Sequence, residues 1–425
     1  MVNQIIYRTF LIIFILFIFQ TKSFSQSANA VYDGGVVKMN NKDYAGAIKD
    51  FTKVISISPY YYDAYLDRGR CQYILGKKDE ALADYNKAIE KNPKYYQAFF
   101  ERGNYYADVK NDKSALADYS QAITIKRKYI DPYFKRAALY ERAQKNDLAI
   151  ADYSKIIELK PDVAEYYFSR AAIYLKIKKQ EEAFNDYTKS IDLKPDYAQA
   201  FYQRGLMLYN VSRWKDAISD FSKAIELKLQ HEDIYFKRAD ALFNSSSYDA
   251  AILDYSLVVI TYKTKNADVF INRGVCYNNA AKYDLAIKDF TKAISMKPVD
   301  EKPYIYRAIA YGKLNKITTA ESDYSKAIVM NPKNAYAYEQ RGTMYFEQKK
   351  YQLSLNDLNI AIKIKPSADA YFIRGACKDA LKDNEGACED LNSAAKLGHK
   401  EAQKLSQKIC VAMPTNIPSS NVKNK

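Results

Sequence analysis

Carboxylates and guanidinium groups recur along this chain at spacings that could do chemistry. Aspartate stands at Asp50, Asp84, Asp118, Asp152, Asp186, Asp220, Asp254, Asp289, Asp323, Asp357 and Asp390, and arginine at Arg68, Arg102, Arg136, Arg170, Arg204, Arg238, Arg273, Arg307, Arg341 and Arg374. Paired carboxylates can act as acid and base, and a guanidinium can hold a carboxylate through two parallel hydrogen bonds. An enzyme with one site does not repeat its acid eleven times, so the recurrence assigns these groups to a scaffold. The chain has two histidines, His231 and His399, and both read as solvated residues of inter-helix turns. There is no Gly-rich phosphate loop, no nucleophile elbow and no His/Cys ligand spacing. The expectation is a non-enzymatic protein with no catalytic residue, no metal site and no cofactor.

At 425 residues, 48% of them hydrophobic, the chain has material for an extensive core. Glycine (13) and proline (11) are too scarce for a turn-rich β-sandwich, and tyrosine is abundant at 40. Phe10 to Phe19 is an unbroken apolar run after Arg8. It is too short to span a bilayer and has the form of a signal-peptide core, with Ser23 and Ser25 as the small residues before a cleavage site. Residues 1–25 are therefore read as a signal peptide. Its removal takes Arg8 and Lys22 and no acid, so the net charge falls from +15 to +13. No other run is long enough to span a membrane, so no integral span is expected after cleavage. The expected location is outside the cytoplasm: periplasm, outer-membrane-associated or secreted.

The arginines recur at intervals of 33 to 35 residues, each followed by Gly or Ala. Taking that small residue as position 8 of a unit, an aromatic stands at position 4 and alanine at position 20, with Ser354 the exception. A large residue fills position 24, and proline closes most units, as at Pro59, Pro93 and Pro161. A fixed period near 34 marks stacked copies of one supersecondary unit that cannot bury its apolar face alone. The pattern resembles the tetratricopeptide repeat. That resemblance implies an all-α, right-handed solenoid of about eleven stacked helix-turn-helix units over residues 28–398. A capping helix is expected at 399–412 and a disordered tail at 413–425.

In that family the first helix of each unit (helix A) lines the concave face, chiefly through positions 2, 5, 9, 12 and 13. Here those positions hold twelve acids and five bases, so the groove is mildly acidic although the chain is basic. The lysines collect at position 26 of the second helix (helix B): Lys53, Lys87, Lys155, Lys189, Lys223, Lys292 and Lys326. An acidic groove argues against nucleic acid as the partner. Position 5 carries Tyr32, Leu66, Phe100, Phe134, Phe168, Tyr202, Phe236, Ile271, Ile305 and Phe372. An aromatic-lined concavity buries apolar anchors of a protein or peptide partner, with rim carboxylates selecting basic flanks; alternatively, these side chains pack on adjacent A helices. No unit has the position-5 lysine with which carboxylate-clamp members hold an acidic carboxy-terminal tail. The expectation is a protein-binding scaffold of the bacterial cell envelope. The alternatives are adhesion to an anionic envelope surface through the basic outer face, or service as accessory subunit to an enzyme on another chain.

Two expectations concern pairings. The aspartates occupy position 23 and the arginines position 7, which is Gly34 in the first unit. Pairing within a unit would strand Asp50. Pairing forward joins Asp50 to Arg68, Asp84 to Arg102 and Asp186 to Arg204 as an inter-repeat ladder, with Lys408 following Asp390 at the same offset of 18. Cys71 and Cys276, at position 10, read as buried free thiols. Cys377 and Cys388, at positions 10 and 21 of one unit, are equidistant from its turn and are expected to form a disulfide, with Cys410 a competing partner.

Overall fold

The structure is a computed structural model that describes residues 28–410, without the side chains of Lys408 and Ile409. The expected signal peptide, the tail and the proposed role of Lys408 lie outside the described residues. Twenty-three α-helices and no strand are present among the described residues. They fall into two compact units, one up to Ala200 and one from Phe201 onward. The first opens with a helix over residues 28–40 paired with Tyr44–Ile57, followed by antiparallel pairs such as Tyr62–Ile74 with Lys78–Lys91. The second continues with pairs such as Glu232–Asn244 with Tyr248–Ile260 and Lys302–Lys313 with Ile317–Met330. It closes with a single amphipathic helix, Lys400–Ile409.

Each pair is a helical hairpin joined by a short turn with one residue in the left-handed region. In most hairpins that residue is not glycine: Lys42, Lys110, Gln144, Lys178, Ser212, Ser246, Ala281 and Asn315 all have φ between 56° and 63°. Backbone bonds that close the last helical turn hold them there: Lys110 N–H donates to Ala107 O and Asn111 N–H to Tyr106 O. The longest interval falls at the junction after Tyr248–Ile260, where residues 263–266 are neither helical nor turn and Lys263 has φ 51°.

Helix A meets helix B where the small residue of position 8 faces the ring of position 24. A methyl group on Gly69, Gly103, Gly205 or Gly274 would come within 2.6 to 2.8 Å of the ring of Tyr85, Tyr119, Phe221 or Phe290. The alanines of position 20, from Ala47 to Ala387, are fully buried. Ser354, the exception, is also buried and donates to Gly342 O at 2.7 Å.

Arginine and aspartate pair, but within the repeat. Arg68 donates from Nε and Nη2 to Asp84 at 2.7 Å each. The same bidentate contact joins Arg102 to Asp118, Arg170 to Asp186 and Arg374 to Asp390. The forward pairs Asp50–Arg68, Asp84–Arg102 and Asp186–Arg204 are therefore corrected: Arg204 holds Asp220 at 2.8 and 2.9 Å. What reaches the preceding repeat is the third nitrogen. Nη1 of Arg68 donates to Thr52, that of Arg102 to Asn86, that of Arg136 to Ser120 and that of Arg341 to Ser325. These acceptors sit at position 25, two residues after the aspartate. Asp50 is not stranded, because Lys38 at position 11 meets it at 2.7 Å, and Lys378 at position 11 likewise meets Asp390 at 2.9 Å.

The disulfide also differs from expectation. Cys388 is bonded to Cys410 of the terminal helix with Cα atoms 5.4 Å apart, and Cys377 is a buried free thiol. Position 10 faces the preceding B helix rather than its own: Cys377 packs with Leu358 and Ile362 and donates to Ser354 Oγ at 3.2 Å. Cys71 and Cys276 are buried and free, as expected. Burial pushes their thiols up to about 11 and about 12.

Candidate functional site: the A-helix face

Position 5 is mostly a packing position. Leu66, Phe100, Ile271 and Ile305 are buried, while Tyr32, Phe168, Tyr202, Phe236 and Phe372 are half-buried. Cover comes from two directions. One is the position-24 ring of the same repeat, as in Phe100–Tyr119 (5.9 Å between centroids) and Phe168–Tyr187 (5.4 Å). The other is the residue at position 34, which comes in from the loop after helix B. Tyr61 packs on Tyr32 at 4.9 Å, Tyr129 on Phe100 at 5.2 Å, Tyr197 on Phe168 at 4.9 Å and His231 on Tyr202 at 4.9 Å. Packing, the alternative the sequence left open, accounts for most of the row, and of its ten apolar residues one is exposed.

Phe134 is the one, 38% exposed. Its repeat has Val163 at position 34, so no aromatic ring arrives from the loop to cover it. Phe134 keeps the position-24 contact with Tyr153 (6.0 Å) and touches Tyr166 (6.1 Å), without the closer loop ring. One turn before it on the same helix, Asp131 is exposed and has no ion-pair partner among the described residues.

Much of the acidity of this face is committed to contacts within and between repeats. Within one repeat, Asp63 accepts from the Tyr95 hydroxyl at 2.5 Å and Glu165 from Lys194 at 2.8 Å, while Asp233 accepts from the Tyr202 hydroxyl of the preceding repeat. Asp240 accepts from the hydroxyls of Tyr209 and Tyr255 at 2.7 Å and from Asn272 Nδ2 at 2.9 Å, a three-way junction across consecutive repeats. Burial first, and then the Asp240 carboxylate, raises the Tyr255 phenol well above its ordinary range. Arg70 lies between Asp67 and Glu101, each at 3.0 Å. Burial alone would lower its pKa, but the two carboxylates together raise it, so it remains a cation.

The histidines are structural and not simply solvated. Nδ1 of His231 accepts from Ile234 N–H at 3.3 Å and that of His399 from Ala402 N–H at 3.1 Å, so each caps the following helix. His399 also stacks on Phe372 at 4.1 Å. The loop-borne rings of position 34 and the hydroxyl or amide of position 25 are the contributors missed in the sequence, although both recur with the same period.

The described residues contain no cluster of three metal-ligating side chains and no helix long and apolar enough to cross a membrane. Helical hairpins, each clamped internally by a recurring arginine–aspartate pair, define a helical-repeat protein. Models of the tetratricopeptide repeat match residues 62–95, 130–163, 164–197, 202–267, 267–300 and 307–369. These segments make up more than half of the chain, which belongs to the tetratricopeptide repeat family. No curated protein sequence matches it. Similar solved structures include YrrB, described as a repeat protein with an unusual peptide-binding site (20% identity, 44% of this chain and 95% of that one, TM-score 0.41). A tetratricopeptide repeat protein from Parabacteroides merdae is 19% identical over 58% of this chain and 98% of its own, TM-score 0.48. Yeast Tom70 is 15% identical over 84% and 97%, TM-score 0.36.

Proposed function

We propose that the protein is an exported, non-enzymatic scaffold of the bacterial cell envelope that binds a protein or peptide partner on its A-helix face. The tetratricopeptide fold is consistent with a protein-interaction scaffold. The observation that carries the reading is Phe134, an aromatic ring left uncovered where the equivalent rings are packed, with an exposed Asp131 one turn away. An apolar anchor beside an unpaired carboxylate suits a partner segment with an apolar residue next to a basic one. The rival reading, adhesion through the position-26 lysines, is weakened by their local pairing: Lys87, Lys155 and Lys223 each hold a glutamate three residues on. A photoreactive phenylalanine analogue at position 134, crosslinked in intact cells, should capture a discrete partner, and Phe134→Asp with unchanged helical circular dichroism should lose it. Capture undiminished by Phe134→Asp would overturn the groove reading. Adhesion would instead appear as a steep loss of envelope binding with added salt.

A further inference from the structure

The hairpin Lys302–Lys313 with Ile317–Met330 departs from its neighbours at one position. Position 12 is Gly312 here, where every other repeat carries a side chain, from the small Ala107 to the large Tyr73, Phe243 and Phe346. Glycine inside a helix costs about 1 kcal/mol relative to alanine, and it ordinarily answers to a close contact or to left-handed backbone. Neither holds here. A methyl group on Gly312 would meet nothing within 4 Å, and the left-handed residue of this turn is Asn315 at φ 57°.

The missing side chain leaves a cavity of about 50 Å³ between this helix and the next A helix, Ala335–Glu347. That is room for roughly three or four waters, or for the last few atoms of a side chain. Tyr324 forms its floor. In three other repeats the position-24 phenol donates to a residue at position 9 or 12: Tyr119 to Asn104, Tyr153 to Glu141 and Tyr255 to Asp240. Tyr324 has Ile309 and Gly312 at those places. Its side chain is 3% exposed, and its hydroxyl has no hydrogen-bond partner among the described residues. Burial holds the phenol above its ordinary pKa, so it meets the cavity as a hydroxyl able to donate and accept.

We infer that this cavity is a subsite for the carboxamide end of an asparagine or glutamine side chain of a peptide lying along the A-helix face. The inference rests on the reading of that face as a peptide-binding surface. A carboxamide presents one acceptor and two donors, and the cavity offers two neutral groups with both capacities, the Tyr324 hydroxyl and the Gln340 amide. Its rim carries one charge of each sign, Lys313 and Glu347, 3.9 Å apart, so neither a carboxylate nor an ammonium gains a net counter-charge. A purely apolar tip would displace water from the Tyr324 hydroxyl and leave it unpaired, which costs more than the contact returns.

The test uses blocked single amino acids on the full chain, N-acetyl methylamides of glutamine, glutamate, lysine and leucine, followed by the amide resonances of Gly312 and Thr343. The glutamine derivative should shift both resonances and bind at least fivefold more tightly than the other three. Gly312→Phe, which fills the cavity with the residue found at Phe243 and Phe346, should abolish the shifts. Tyr324→Phe, which keeps the ring, should weaken binding about fivefold. Equal binding of a charged or leucine derivative, no shift at Gly312, or shifts that survive Gly312→Phe in a folded protein would overturn the subsite. None of these outcomes bears on partner capture at Phe134, so the two readings fail separately.

Discussion

Arg170 grips Asp186, sixteen residues downstream in the same repeat, through Nε at 2.7 Å and Nη2 at 2.9 Å, while its Nη1 reaches Ser154 of the preceding repeat at 2.9 Å. One guanidinium thus fastens two helices of its own hairpin and the last helix of the one before. Arg170→Ala should destabilise the protein by roughly 1–3 kcal/mol, largely through the unpaired, 7%-exposed Asp186 carboxylate. In urea unfolding, a double-mutant cycle on Arg170 and Asp186 should show clear coupling, one on Arg170 and Ser154 less, and one on Arg170 and Asp152 almost none.

Reduction should loosen the carboxy-terminal end alone. The Cys388–Cys410 bond spans 22 residues, and closing such a loop is worth about 3 kcal/mol. Cys410→Ser should raise hydrogen exchange in Lys400–Ile409 and Asn384–Lys396 and leave Tyr62–Ile74 unchanged. Peptide mapping without reductant should find Cys388 joined to Cys410, and Cys71, Cys276 and Cys377 as thiols resistant to alkylation at pH 8. A Cys377–Cys388 peptide would contradict the structure.

The tyrosine-rich core makes alkali the destabilising direction. Burial raises the phenols of Tyr85, Tyr187, Tyr255 and Tyr324 above their ordinary value, so above about pH 10 the unfolded chain binds fewer protons than the folded one. Their contribution is intact below the ordinary phenol pKa and is lost as pH rises beyond it, by at most about 1.4 kcal/mol per pH unit for each group. Urea midpoints should be insensitive to these groups from pH 7 to 9 and fall steeply above 10, with their phenolate absorbance appearing only on unfolding.

Gly312→Ala should stabilise the second unit by about 0.5–1 kcal/mol, because it restores helix propensity at a site with open space for the methyl group. The urea midpoint should rise, and an unchanged or lower midpoint would show that the glycine serves the backbone.

The fold was legible because every cue repeats: Ala81, Tyr85 and Pro93 have counterparts one period away, and the helices lie where that pattern puts them. Pairing direction was not, because Arg68 stands 18 residues after Asp50 and 16 before Asp84, a near-tie that the linear pattern does not break. Gly34 tilted the reading forward, and Lys38 explains why: a lysine one turn further along supplies the missing cation. The disulfide was misjudged because equal distance from a turn sets height along a hairpin but not rotation, and position 10 looks back to Ser354 and Leu358. Phe134 could be singled out only once Val163 was known to stand where Tyr129, Tyr197 and His231 cover their neighbours.

The three-pronged arginine has a consequence for how such a chain can change in length. Donor, carboxylate and the polar acceptor offered to the next arginine all lie within one 34-residue period, so a duplicated period brings its own clamp and a socket for its successor. A deleted period removes one of each and leaves the flanking clamp and socket matched. Gain or loss of a whole repeat therefore leaves no orphaned charge in the interior, and only the two ends, where Lys38 and Lys378 supply added cations, need sequence of their own.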